Sequence, residues 1–411
     1  MADVNPAAIG ARAERMINTL GSVSAEPNRL VRTFLSPAHR EAADLVAKWM
    51  QDAGLTVSED ALGTVRGSLA GSGAKRLLIG SHIDTVIEAG MFDGPFGVVA
   101  GILAAEHFAK VGRKLPFAID VLAFGDEEGV RFPATLASSS ACAGKFDFST
   151  LELVDSDGVT LAEAITRYGK SPAEIPAAAY ALGSAAAYLE VHIEQGPVLE
   201  YRNQPLGVVN SIAGQTYLNV EFLGEAGHAG TVPMLLRRDA LAGAAEAILA
   251  AERMARDTKG EVVATVGHIN IPAAASNVIA GNVALTVDIR SGSDAARLQF
   301  VEGFKTEVRA IAERRHLGLS VTTTRNVATT PCDLAIQDGF AAAIKAVGGE
   351  PLRLASGAGH DGTAMAKLCP IGMLFVRCRG GISHNPAEYA SPGDMGLAVA
   401  ALINFIEGFK P

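Results

Sequence analysis

The sequence predicts an α/β protein that carries a second, smaller α+β domain within its chain. Three observations lead there. Short apolar, β-rich runs alternate with Ala-rich stretches of helical length, the pattern of a sheet covered by helices. That alternation breaks once, over about 212–330, into the order strand, helix, strand, strand, helix, strand, and then resumes. The length of 411 residues fits two or three compact cores better than one.

The elements follow in chain order. Residues 77–83 read as a buried strand, followed after a Gly-punctuated loop by a helix over 96–110. Further strands are expected at 117–124, 188–193 and 372–376, with a closing helix at 394–407. The Ala cluster 177–187 reads as a loop or short helix. Residues 67–75 read as a turn between strands, because their spacing is wrong for a GxxxxGK[ST] phosphate loop. In the middle of the chain, strands are expected at 215–223, 262–269, 282–289 and 320–324, and helices at 233–256 and 295–315. Their order is the split β-α-β-β-α-β pattern of a ferredoxin-like sandwich. The expected organisation is a main domain in two segments, 1–211 and 331–411, with an inserted domain at 212–330.

Composition excludes several roles. A net charge of −9, with no basic stripe, speaks against nucleic acid or an anionic membrane as partner. The first twenty residues lack a continuous apolar segment of the secretory kind, and no apolar run approaches a bilayer span. Cys142, Cys332, Cys369 and Cys378 are scattered without a CxxC spacing, which fits reduced thiols and a cytoplasmic protein. A nucleophilic hydrolase is disfavoured: no GxSxG elbow occurs, and the cysteines sit in small or apolar surroundings.

The chemistry collects at strand ends. LLIGSHID closes on His82 with Asp84 beyond it, and Asp93 follows in MFDG. VLAFGDEEG closes on Asp126, Glu127 and Glu128, YLEVHIEQG on His192, and His384 lies past the strand in MLFVRCRGGISHNP. In open α/β sheets ligands bind at the carboxyl edge. Strand-end carboxylates and histidines also cap helices or pair with arginine, but a whole set converging on one edge would bury anions that need cations. Imidazoles and carboxylates around each ion, with one shared carboxylate, suit a pair of Zn²⁺ or Mn²⁺ ions. Adjacent Glu127 and Glu128 point differently, so one can bind metal while the other acts as general base. His39, His107, His268 and His316 sit in ordinary surface or core contexts.

GSHIDT, FDGPFGV, GDEEGVRF, LEVHIEQGPVLE, GEAGHAGTVPM, SNVIAG, TVDIRSG, GAGHDG and GISHNPAEY resemble the signature segments of the hydantoinase/carbamoylase branch of the zinc-dependent amidohydrolases. That branch belongs to the aminopeptidase-like metallopeptidase superfamily, and the similarity runs from about residue 80 to 400. The resemblance implies a mixed-sheet, aminopeptidase-like catalytic domain whose inserted domain serves as lid and dimerisation surface. It implies two divalent ions per subunit, Zn²⁺ first and Mn²⁺, Co²⁺ or Ni²⁺ as alternatives. His82 and His192 would hold one ion and Glu128 and His384 the other, with Asp93 bridging. Glu127 would be the base and Asp84 the group orienting His82. His228, in the inserted domain, would cross into the other subunit of a homodimer to stabilise an oxyanion. Arg290 would pair with the substrate carboxylate, helped by Gln195, Gln215, Asn277 and His360.

The implied activity is hydrolysis of the ureido C–N bond of an N-carbamoyl-L-amino acid. Allantoate hydrolysis, β-ureidopropionase activity and peptide cleavage are the alternatives within the fold, and a two-lobed solute-binding protein the alternative outside enzymes. GTVP in place of GTTP after His228, and GHINIPAAASNVIAG in place of PNAxNVIPG, depart from the branch pattern at positions bearing on substrate choice rather than on metal.

Overall fold

The computed structural model describes residues 5–411. The chain forms two compact units, one running to Asn210 and resuming at Cys332, the other Ser211–Pro331.

The first unit is built on a mixed sheet. Its strands lie in the order Thr56–Glu59, Val65–Leu69, Ala118–Phe124, Arg76–His82, Ala185–Ile193, Ile371–Val376 and Leu206–Ile212, and Leu352–Ser356 also pairs with the last of these. The four central strands, from Ala118–Phe124 to Ile371–Val376, are mutually parallel, and the flanking ones are antiparallel. Central parallel strands are covered on both faces, so Ala118–Phe124 is buried at every residue and reads as an apolar run broken only by Asp120. The period of two still sorts side chains. Leu189, Val191 and Ile193 join the large apolar core, whereas Tyr188, Glu190 and His192 alternate with them on the opposite face.

Helix Pro95–Val111 is buried along nearly all its length, starts with Pro and stops at Gly112, whose φ of 67° ends the helix. Helices Pro6–Gly21, Pro37–Asp52, Leu334–Ala346 and Pro392–Gly408 complete that core. Each is capped by a side chain, from Asn5, Ser36, Asp333 and Ser391, that accepts a first-turn N–H.

The second unit has four antiparallel strands in the order Gly318–Val327, Gly214–Leu223, Asn282–Ser291, Val262–Asn270, with helices Ala240–Asp257 and Asp294–Arg314. Along Gly214–Leu223 burial alternates residue by residue, as in a sheet with one packed face and one wet face. Leu218, Val220, Phe222, Leu285, Val287 and Phe304 form its core.

Three expectations are corrected. The helix expected from 233 begins at Ala240, because Asp239 accepts from the N–H groups of Leu241 and Ala242 and so caps it there. Before it, Met234–Leu236 forms only a 3₁₀ turn, with Leu235 98% exposed. The Ala cluster divides: Pro172–Ala178 is 3₁₀, while Ala185–Ala187 already belongs to a strand. The connection between strands read at 67–75 narrows to 70–75, because Gly67–Leu69 belongs to strand Val65–Leu69. All four cysteines are buried and unpaired. Among the described residues no helix is long and apolar enough to cross a membrane.

Candidate metal centre

Parallel strands share an orientation, so their carboxyl ends deliver side chains to one edge of the sheet. His82 ends Arg76–His82, His192 lies next to the end of Ala185–Ile193, Glu127 and Glu128 follow Ala118–Phe124, and His384 follows Ile371–Val376. Asp93 precedes helix Pro95–Val111 and is the point of convergence. Its Oδ1 lies 3.1 Å from His192 Nε2 and 3.6 Å from His82 Nε2. Its Oδ2 lies 3.1 Å from His384 Nε2, which is 3.6 Å from Glu128 Oε2. Donor atoms of His82, Glu127 and Glu128 also fall within 4.8 Å of one another.

The backbone is shaped to allow this. At Gly94, where φ is 81°, a Cβ would stand 2.5 Å from the His82 ring. Gln195 and His384 adopt φ of 56° and 54°, left-handed conformations that cost about 1–2 kcal/mol each in an L residue. Asp84 ties two segments together. Its Oδ1 accepts the Glu127 N–H at 3.2 Å, its Oδ2 accepts the Glu128 N–H at 3.1 Å, and Oδ1 lies 3.4 Å from His82 Nδ1. Asp84 therefore holds the Glu127–Glu128 turn as well as the imidazole.

The donor set passes a direct test of fit for cations. Nδ1 of His82 faces the Asp84 carbonyl at 3.1 Å, and Nδ1 of His192 faces the Ile193 carbonyl at 2.8 Å. An imidazole that donates from Nδ1 to a carbonyl turns an unprotonated Nε2 lone pair the other way. Both Nε2 atoms face the Asp93 carboxylate, so each contact calls for positive charge between the two groups, a proton or a metal cation, and the buried His192 Nε2 has no hydrogen-bond partner. A divalent cation held by both imidazoles and the carboxylate meets that demand.

The titration behaviour expresses the same demand. Burial works against the Asp93 anion, but His192, His384 and His82 hold its pKa well below the ordinary carboxylate value. Burial, joined by the Asp93 charge, pushes Glu128 up to about 7. Burial pushes Glu127 well above its ordinary value, despite His82. The neighbouring Asp93 lifts His384 to about 9 against its own partial burial. Carboxylates held up and imidazoles lifted mark a cleft short of positive charge.

The remaining expected residues fall as follows. Gln195 Nε2 donates to Asp93 Oδ2 at 2.7 Å, which ties it to the point of convergence itself. His360 is buried, its ring centroid 4.5 Å from that of His192 and its Nε2 2.6 Å from Ser356 Oγ. Burial pushes its pKa well below the histidine norm, so it is neutral. In the second unit, exposed His228 pairs with Val278 across the short strands Gly227–His228 and Val278–Ile279. The Asn277 carbonyl accepts the Ala229 N–H at 2.9 Å, so Asn277 and His228 share one corner of that unit. Arg290 and Gln215 stand directly opposite on paired strands. The Arg290 guanidinium already binds Asp288 Oδ2, through Nε at 3.0 Å and Nη2 at 2.8 Å. Asp288, Ser383 and Glu388 lie inside the segments TVDIRSG and GISHNPAEY, but nothing in those segments assigned them a role.

Residues 78–408 match the model of peptidase family M20/M25/M40. The chain belongs to this family. It is thus of the hydrolase class, in a family of dinuclear metal enzymes, and it presents the ligand groups such a centre needs. It is 41% identical to a probable allantoate deiminase from Oryza sativa subsp. japonica, over 95% of this chain and 87% of that protein. It is 38% identical to an N-carbamoyl-L-amino acid amidohydrolase from Geobacillus stearothermophilus, over 97% and 98%. Its structure superposes with a TM-score of 0.90 on an amidase of the hydantoinase/carbamoylase family from Burkholderia multivorans, at 32% identity and 97% coverage of each chain.

Proposed function

We propose that the chain hydrolyses the ureido C–N bond of a small α-ureido carboxylate, in the first place an N-carbamoyl-L-amino acid, to the amino acid, CO₂ and ammonia. The convergence of His82, Asp93, Glu128, His192 and His384 with Glu127 beside them carries this reading. His82 and His192 would hold one divalent cation, Glu128 and His384 a second, and Asp93 both. Such a pair, Zn²⁺ before Mn²⁺, Co²⁺ or Ni²⁺, supplies Lewis acidity to the ureido carbonyl and acidity to a water molecule.

The chain's own groups do the rest. Glu127 takes the proton of the attacking water and returns it to the departing ammonia. The N-carboxylate left on the amino acid then loses CO₂. Asp84 keeps His82 oriented and fixes the turn that carries Glu127. Arg290, with its planar fork, pairs with the substrate carboxylate, and Gln215, Asn277, Gln195 and His360 complete the polar lining. The inserted domain acts as lid and homodimer surface, and His228 of the partner subunit supports the oxyanion. Reduced, buried cysteines support a cytoplasmic setting.

A second reading has its own support. Allantoate carries the same carboxylate and ureido group plus a second ureido on the α carbon, and relatives named allantoate deiminase are 40–41% identical to this chain. The test is initial rates on N-carbamoyl-L-amino acids, allantoate, N-carbamoyl-β-alanine and dipeptides, each with added Zn²⁺, Mn²⁺, Co²⁺ or Ni²⁺. Turnover of an N-carbamoyl-L-amino acid above the others supports the first reading, and of allantoate the second. Turnover confined to dipeptides contradicts both.

A further inference from the structure

Asp93 must hold its two carboxylate oxygens toward ligands from different strands, yet it lies on a loop. The group that grips this loop comes from the far end of the chain. Glu388 Oε1 accepts the Phe92 N–H at 2.8 Å and the Asp93 N–H at 3.0 Å, 295 residues away from the latter. Its other oxygen, Oε2, lies 2.8 Å from Ser383 Oγ, and that hydroxyl lies 3.0 Å from Asp93 Oδ2. Ser383 is the residue before His384, and Glu388 closes the same turn, its N–H donating to the Asn385 carbonyl at 3.0 Å. One carboxylate thus fastens the backbone of Asp93 to the turn that presents His384.

The chain is built around it. Glu388 is 3% exposed, and at Gly90 a Cβ would come within 2.3 Å of Glu388 Cβ, Cδ and Oε1. Only glycine leaves room for that carboxylate under the Asp93 loop. A buried carboxylate is costly unless its hydrogen bonds are made, and here two backbone N–H groups and a hydroxyl surround it.

We propose that Glu388 is a positioning residue that sets the spacing between Asp93 and His384, and thereby the affinity of the cation position formed by Asp93, Glu128 and His384. The His82–His192 position depends on it less, because those imidazoles are fixed by the Asp84 and Ile193 carbonyls instead. The inference rests on the two-cation reading above.

The test is competition between the full-length protein and a chromophoric chelator for Zn²⁺, with circular dichroism and thermal unfolding run in parallel. The unaltered protein binds two Zn²⁺ per chain. Glu388→Ala keeps one and loses about 10- to 100-fold in affinity for the other, the usual scale for a group that orients ligands. Glu388→Gln keeps an acceptor oxygen for the two N–H groups and restores most of that loss. Ser383→Ala, which removes only the hydroxyl link, weakens the same position by a smaller factor and serves if Glu388→Ala does not fold. Two Zn²⁺ bound as tightly by Glu388→Ala, or by Ser383→Ala where Glu388→Ala is unfolded, as by the unaltered protein overturn the inference and leave the metal centre standing. Glu388→Gln falling as far as Glu388→Ala overturns it in favour of simple charge. An unaltered protein that binds no Zn²⁺ overturns the two-cation reading itself.

Discussion

The two units handle charge in opposite ways. In the second unit several anions near the sheet have a cation of the same unit beside them. Arg290 pairs with Asp288, and the buried Arg297 pairs with Asp294 while also meeting Thr216 and Asn326. In the first unit the carboxylates at the strand ends have histidines as ion-pair partners, which carry positive charge only when protonated. The first unit gathers carboxylates and imidazoles at one sheet edge, as groups that could hold cations.

The largest expected effect breaks catalysis without touching the cations. Glu127→Gln should lower kcat by about 10²- to 10⁴-fold, the usual contribution of a general base, while metal content measured by plasma emission stays at the wild-type value. Loss of the cations instead would make Glu127 a ligand.

Chelation should separate the units next. At a cation concentration of 100 Kd, binding stabilises the fold by about 2.7 kcal/mol. Amide hydrogen exchange with and without chelator should show that protection is lost around residues 82–94, 126–128 and 383–388 and kept through Val283–Ile289. Equal loss in both would erase the contrast.

Arg290→Lys lies in the second unit and the metal-ligand groups in the first, so it should leave metal content unchanged. It should raise KM roughly tenfold, about 1.4 kcal/mol, because a point charge cannot replace a planar fork. A fall in bound metal would show that Arg290 supports the centre rather than the substrate.

The smallest effect concerns pH in the cation-free protein. His384 is lifted from 6.5 to about 9, and Glu128 from 4.5 to about 7. Both groups hold protons more tightly folded than unfolded, so the stability they contribute is full at low pH and lost as pH rises through those values. The thermal midpoint of the cation-free protein should therefore fall between pH 6.5 and 9, and saturating Zn²⁺ should remove most of that slope. A midpoint that rises over this range would contradict the assignment.

Much of this was legible in the residues because the parallel strands announce themselves. A buried strand is a mostly apolar run, and a histidine or carboxylate near or just past its end stands out, as His82, His192 and Glu127 do. Thr56–Glu59 and Leu352–Ser356 were not legible, since half-exposed edge strands mix polar residues into a weaker pattern. The start of helix Ala240–Asp257 was missed because Asp239, one acidic residue among many, acts as cap only when its side chain turns to the first N–H groups. Glu388 was missed for a different reason. It lies in the segment GISHNPAEY, but its task was hidden because its partners Phe92 and Asp93 are joined to it only by the fold.

Anomalous scattering at the zinc edge, from crystals of the full chain equilibrated with Zn²⁺, tests the central claim most directly. Two peaks should flank the Asp93 carboxylate, one on the side of His82 and His192 and one on the side of His384 and Glu128. Ordered side chains with no peak beside Asp93, or zinc bound only elsewhere on the surface, would contradict it.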